Sequence, residues 1–169
     1  MKLKNLRVLF LCTGNSARSI LAEAILKRLG DGTFKAYSAG SHPAGDVNPF
    51  ARSLLKELKY PYKDFRSKNW DEFAGANCPD MDFIFTVCDQ AGAETCPVWP
   101  GHPMTIHWGI PDPAAVQGND AEIANAFAET YQILYKRIKA FVSLPFTALD
   151  QPTLRKNLNE LGRKPSESD

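Results

Sequence analysis

Cys12 and Arg18 bracket five residues in the stretch "VLFLCTGNSARS" (residues 8–19), between an apolar run and the start of a helical pattern. Residue types at that spacing can cradle a tetrahedral oxyanion. The peptide N–H groups of a short loop converge on such an ion when a helix begins directly after it, because the helix's first N–H groups and its dipole add positive field. Arg18 brings a planar fork able to grip two oxygens at once. The same field favours a thiolate at Cys12, below the ordinary thiol value of roughly 8.5. Thr13, Gly14, Asn15, Ser16, Ala17, Arg18 and Ser19 form the expected cradle. Gly14 is expected to allow a tight path, Asn15 to hold the loop's shape and Ser19 to donate a hydrogen bond to the thiolate. The competing assignment makes Cys12 a buried strand-end thiol and Arg18 a solvated charge. The strand-to-helix junction, the glycine and the adjoining hydroxyls weigh against it. Nucleotide loops fit poorly: "GNSARS" lacks a three-glycine fingerprint, and no Gly-Lys pair precedes Ser or Thr.

Two further stretches carry chemistry. "CDQAGAETC" holds Cys88 and Cys96 with seven residues between them, and "GIPDPAA" places Asp112 before a proline. Read alone, Asp-Pro is a turn former and Cys88 a strand-end thiol. A zinc site using Cys88 and Cys96 with His102 or His107 lacks the short Cys-x₂₋₄-Cys knuckle, so no metal is expected. Cys78 reads as structural. His42, His102 and His107 can shape the active edge without an assigned proton-transfer role, and Trp99, Trp108 and Tyr131 read as packing.

The elements that must position these groups alternate. "LRVLFL" (6–11) is a continuous apolar run, suited to a strand covered on both faces. Ile20, Leu21, Ala24, Ile25 and Leu29 then share one helical side, ended by Gly30 and Gly32. "FKAYSA" (34–39) is a second strand, and Asn48 with Pro49 opens a helix carrying Phe50, Leu54, Leu55 and Leu58. A short helix is expected at "NWDEFA", strands at "MDFIFTV" (81–87) and "MTIHW" (104–108), and a long helix from Asp120 to Leu144, ended by Pro145. Leu154, Leu158 and Leu161 mark a small amphipathic helix before a polar tail expected to be disordered. The fold class is therefore α/β: a single-domain, open, four-stranded parallel sheet flanked by helices on both sides. Ligands of such sheets bind beyond the carboxyl ends of the strands. Cys12, Cys88 and Asp112 each follow a strand, so all three are expected at one edge.

Composition narrows the functional classes. With 169 residues, 44% hydrophobic and 23% charged, the chain can bury a core without disulfides or metal. Twenty Lys plus Arg against 19 Asp plus Glu, with no basic stripe, gives no support for nucleic-acid binding. The apolar run after "MKLKN" spans only about four to six residues, short for a leader, and no stretch approaches the roughly 18 needed for a membrane span. A cytoplasmic, reducing location follows as the default, where four cysteines serve as reactive thiols rather than staples.

"VLFLCTGNSARS", "YSAG", "FTVCDQAGAETC" and "HWGIPDPA", taken in order over roughly residues 6–145, resemble the low-molecular-weight tyrosine phosphatase superfamily and, within it, its thiol-dependent arsenate reductases. The resemblance implies a phosphatase-like arsenate reductase domain over 1–149, with a short C-terminal helix and polar tail over 150–169. It implies Cys12 as nucleophile, Arg18 as oxyanion ligand and Asp112 as general acid. Ala17 stands where many members carry a second loop cysteine. Ala114 and Ala115 follow Asp-Pro where phosphotyrosine phosphatases usually place aromatic rings, so a small inorganic oxyanion, arsenate, fits better. The implied chemistry is a Cys12–arsenic adduct, then a Cys12–Cys88 disulfide, then a Cys88–Cys96 disulfide. Some members bind potassium near the loop; Asn15, Glu23 and Ser38 match parts of that site, and Lys68 falls near its acidic ligand. No bound cofactor is expected, only an external thiol reductant: thioredoxin favoured, with glutaredoxin/glutathione or mycothiol as alternatives. A monomer is expected. The alternatives are a phosphatase acting on phosphotyrosine or small phosphomonoesters, needing only Cys12, Arg18 and Asp112, and a non-catalytic oxyanion-binding or redox-sensing module.

Overall fold

A computed structural model describes residues 5–61, 65–75, 78–88, 99 and 102–163. Four strands, β1 (Leu6–Leu11), β2 (Phe34–Ala39), β3 (Phe83–Thr86) and β4 (Met104–His107), pair in parallel in the order β2-β1-β3-β4. Among the described residues four helices accompany them: α1 (Arg18–Leu29), α2 (Pro49–Glu57), α3 (Asp120–Val142) and α4 (Gln151–Arg163). Single 3₁₀ turns lie at Trp70–Phe73 and Pro113–Ala115.

β1 is apolar throughout its second half because it is an inner strand covered on both faces. Its alternation divides the core. Val8 and Phe10 join Phe83 and Phe85 on one face, against Ile20 and Leu21 of α1, Leu55 of α2, Phe127 and Phe141 of α3, and Leu154 and Leu158 of α4. Leu9 and Leu11 join Ile84 on the other, where Phe73, Met81 and Trp99 pack. All four described helices thus bury their apolar sides in one cluster, and among the described residues the second face is covered by the Trp70–Phe73 turn and Trp99.

Capping sets the helix starts. Asn48 accepts from the Phe50 N–H at 2.8 Å with Pro49 behind it, and Asn119 with Glu122 forms a capping box on α3. α1 has no side-chain cap. The ladder continues past the strand ends: Cys12 N–H donates to Ala39 O (3.2 Å), Val87 N–H to Leu11 O (2.8 Å) and Ile110 N–H to Val87 O (3.1 Å). Three chain exits are thereby fixed at one sheet edge. Among the described residues no helix is long and apolar enough to cross a membrane.

Candidate active site

The loop between β1 and α1 is held from outside by its carbonyls. Those of Thr13, Gly14 and Ser16 accept from the N–H groups of His42 (2.9 Å), Ala44 (2.9 Å) and Asn48 (2.8 Å). Ser67 adds a hydroxyl to the Gly14 carbonyl at 3.2 Å. With its carbonyls used this way, the loop offers an anion its N–H groups, continuous with those of the uncapped α1. Asn15 is the keystone. Fully buried, it donates through Nδ2 to Ser19 Oγ (2.8 Å) and accepts the Lys68 N–H on Oδ1 (2.8 Å).

The expected role of Gly14 is corrected by the backbone. The left-handed conformation falls on Asn15 (φ 44°), whereas a Cβ at Gly14 would make only an ordinary 3.6 Å contact with Ser16 Oγ. The glycine the loop needs is Gly40, just after β2. A Cβ there would lie 2.4 Å from Thr13 O and 2.6 Å from Cys12 O. Nothing in the local sequence marks Gly40, because the close approach is made by a segment distant in the chain.

Cys12 and Cys88 meet beneath this loop, 4% and 2% exposed. Cys88 Sγ accepts from the Thr13 N–H at 3.3 Å and lies 3.6 Å from the Thr13 hydroxyl. A hydrogen bond with Cys88, followed by burial, pushes the Cys12 thiol above its ordinary range. Arg18 and the Gly14 N–H pull the other way and are outweighed. This reverses the lowered value expected from the loop's field, since a second sulfur in the same buried space opposes charge on the first. Ser19 accepts from Asn15, which fixes its oxygen and leaves its own proton to donate. Cys96 lies outside the described residues. Cys78 is half-buried and donates to the Glu72 carbonyl, closing the Trp70–Phe73 turn.

Arg18 reaches across to the exit of β4. Nη1 donates to Ile110 O at 2.8 Å, and Nη2 lies 3.6 Å from Asp112 Oδ2. Its Nε is buried with no hydrogen-bond partner among the described residues, a donor suited to an oxyanion. Asp112 caps the Pro113–Ala115 turn by accepting the Ala114 N–H on Oδ1 (2.9 Å), and its side chain is 42% exposed. The edge predicted from topology therefore brings Cys12, Cys88, Arg18 and Asp112 together.

Beneath Asn15 lies a buried ionic cluster. Lys68 Nζ donates to Arg66 O (2.8 Å) and Ser38 Oγ (3.3 Å) and lies 3.9 Å from Glu23 Oε1. Ser38 donates to Glu23 Oε1 at 2.6 Å, and Lys27 Nζ lies 2.8 Å from Oε2. Burial lowers the Lys68 pKa, with Glu23 opposing the shift. An ammonium of the chain thus stands beside Glu23 and Ser38, two of the residues that match parts of the potassium site carried by some members. Among the described residues no group of three or more His, Cys, Asp or Glu side chains is placed to hold a metal.

The chain matches the family described as low molecular weight phosphotyrosine protein phosphatase over residues 7–158. An arsenate reductase of Halalkalibacterium halodurans is 38% identical over 135 residues, spanning 79% of this chain and 93% of that protein. The crystal structure of an arsenate reductase from Archaeoglobus fulgidus aligns with a TM-score of 0.64 at 29% identity, covering 81% of this chain and 99% of that one. The fold is shared with a thioredoxin-dependent arsenate reductase of Corynebacterium glutamicum, at a TM-score of 0.55 and 24% identity over 82% of this chain and 64% of that one. A family match across most of the chain, joined to a reductase relative of that identity and coverage, places it: the chain belongs to the low molecular weight phosphotyrosine protein phosphatase family, among sequences similar to arsenate reductases.

Proposed function

We propose that the protein reduces arsenate to arsenite, with Cys12 as nucleophile and Cys88 and Cys96 as a disulfide relay. Arsenate binds the N–H groups of residues 13–19 and the Arg18 fork. The Cys12 thiol passes its proton to an oxygen of the bound arsenate, the thiolate so formed bonds to arsenic, and one hydroxyl leaves as water with a proton from Asp112. Cys88 then attacks the Cys12 sulfur. The sulfur–sulfur bond forms as the sulfur–arsenic bond breaks, and its electron pair stays on arsenic, so arsenic(V) departs as arsenite. Cys96 attacks Cys88, regenerates Cys12 and leaves a Cys88–Cys96 disulfide for an external dithiol to reduce. Thioredoxin is the reductant favoured, in a reducing, cytoplasmic setting. The loop N–H groups and the Arg18 guanidinium supply the positive field that the oxyanion meets.

One observation carries this reading: the Cys88 sulfur rests on the Thr13 N–H at 3.3 Å, inside the oxyanion loop. Phosphate ester hydrolysis has no use for a second thiol there, and Ala114 and Ala115 supply no ring to flank a phosphotyrosine. The test is a single turnover with arsenate on reduced wild type, Cys12→Ser and Cys88→Ser, measuring arsenite, beside aryl-phosphate hydrolysis. Arsenite from wild type and little from either variant is expected. Aryl-phosphate hydrolysis without arsenite would replace this reading by the phosphatase.

A further inference from the structure

We propose that α4 is a positioning clamp for Arg18, acting through Trp108, Arg137 and Gly162 on the segment that leaves β4. The proposal rests on residues 12–19 being an oxyanion cradle. Arg18 is anchored at 2.8 Å by the Ile110 carbonyl, so wherever that carbonyl sits, the guanidinium follows. The sheet fixes one side of the segment: Trp108 N–H donates to Thr86 O at 2.7 Å and Ile110 N–H to Val87 O at 3.1 Å.

α4 fixes the other side. The fully buried Trp108 indole lies tilted against Phe85 with centroids 4.1 Å apart and donates through Nε1 to Leu158 O at 2.8 Å. Gly162 lies flat against the same indole. A Cβ there would come 2.4 Å from Trp108 Cδ1 and 3.1 Å from His107 O. Arg137, from α3, spans the joint: Nη1 faces Trp108 O (3.4 Å) and Gly109 O (3.5 Å), while Nη2 donates to Gly162 O (3.0 Å). Arg155 adds a bond from α4 to Thr105 O at 3.0 Å, along β4 itself.

A helix present only to cover the core would need Leu154 and Leu158. Here the helix also gives the Leu158 carbonyl and the close approach of Gly162 to Trp108, and it gives the Gly162 carbonyl to Arg137, whose other nitrogen faces Trp108 O and Gly109 O. A forked guanidinium is the side chain that can bridge carbonyls in two segments at once. The family match ends at residue 158, so Gly162 lies beyond it.

The test measures the Kd of inorganic phosphate by calorimetry for wild type, Gly162→Ala, Arg18→Lys and the double variant, with urea denaturation to establish that each is folded. Phosphate probes the cradle whatever reaction it serves. Gly162→Ala is expected to weaken phosphate about fivefold or more in the wild-type background and less than about twofold when Arg18 is already lysine, because misplacement matters only where the fork can be used. Arg137→Lys, which keeps the cation and loses the fork, is the gentler second variant and is expected to behave alike. Equal weakening in both backgrounds, or unchanged phosphate binding in folded variants, would overturn the clamp. A wild type that binds phosphate and yields no arsenite would instead sink the reductase reading and leave the clamp standing.

Discussion

Replacing Lys68 by Met keeps the buried stem and removes its charge, which isolates what the ammonium does beneath the loop. At 3.9 Å and an effective dielectric constant of ~20, the attraction to Glu23 is about 4 kcal/mol. The bond to Arg66 O adds roughly 1 kcal/mol. Against this, burial lowers the Lys68 pKa, so for the lysine itself desolvation outweighs its partner, and deleting it recovers that cost. What remains is the burden on Glu23, 5% exposed and left with Ser38 and the half-exposed Lys27. The loss is on the order of 2 kcal/mol, below the ~3–5 for a fully abandoned buried charge, because Ser38 and Lys27 stay on Glu23. For a chain of this size that lowers Tm by roughly 4–8 °C. Urea denaturation of wild type, Lys68→Met, Glu23→Gln and the double variant closes the cycle, and the double variant is expected to recover most of the loss. Lys68→Ala leaves room for an ion, and potassium chloride should stabilise it more than tetramethylammonium chloride at equal ionic strength. The pH dependence has a fixed sign. Between its lowered native value and the ordinary lysine value of 10.5, the unfolded chain binds more protons at this residue than the native one, so wild-type stability rises with pH across that window through this group, and Lys68→Met lacks that rise. A Lys68→Met variant within about 0.5 kcal/mol of wild type, or strictly additive effects, would refute the reasoning.

Because the hydrogen bond with Cys88 is the foremost cause raising the Cys12 thiol, Cys88→Ala should move the pH profile of Cys12 alkylation by iodoacetamide downwards. A shift of one unit gives about tenfold faster labelling at pH 7; an upward shift contradicts it. Gly40→Ala forces a methyl onto the carbonyls of Cys12 and Thr13 and should cost about 2–4 kcal/mol in urea denaturation while weakening phosphate binding. Wild-type stability there would mean that the loop yields freely. Asp112→Asn keeps the cap on Ala114 yet cannot protonate a departing oxygen. Its single-turnover arsenite release should fall about 100-fold or more at near-unchanged stability, and an unchanged rate would remove Asp112 from the chemistry.

Much of the fold was legible because the apolar spacing is unambiguous. "LRVLFL" and "FKAYSA" matched β1 and β2 over their full lengths, and Asn48 and Pro49 start α2 as capping chemistry dictates. The third and fourth strands are shorter than their apolar runs, Phe83–Thr86 and Met104–His107, since pairing rather than hydrophobicity ends a strand. The meeting of Cys12, Cys88 and Asp112 followed from parallel topology alone. What escaped the sequence was whatever depends on a distant segment. Gly40 is an ordinary turn glycine until the loop is seen against it, and the Arg18 anchor is a backbone carbonyl, which no side-chain pattern records. The upward push on the Cys12 thiol escapes the sequence for the same reason: the loop's field is local, while Cys88 arrives from another strand.

The central claim is that Cys88 takes the oxidation directly from Cys12. Reduced Cys96→Ser, which halts the relay after its first disulfide, should be mixed with one equivalent of arsenate, quenched with an alkylating agent and mapped by peptide mass spectrometry, with arsenite measured in parallel. Arsenite equal to the chain concentration and a Cys12–Cys88 disulfide in the same amount are expected. Arsenite released while Cys88 remains free to alkylate would contradict it.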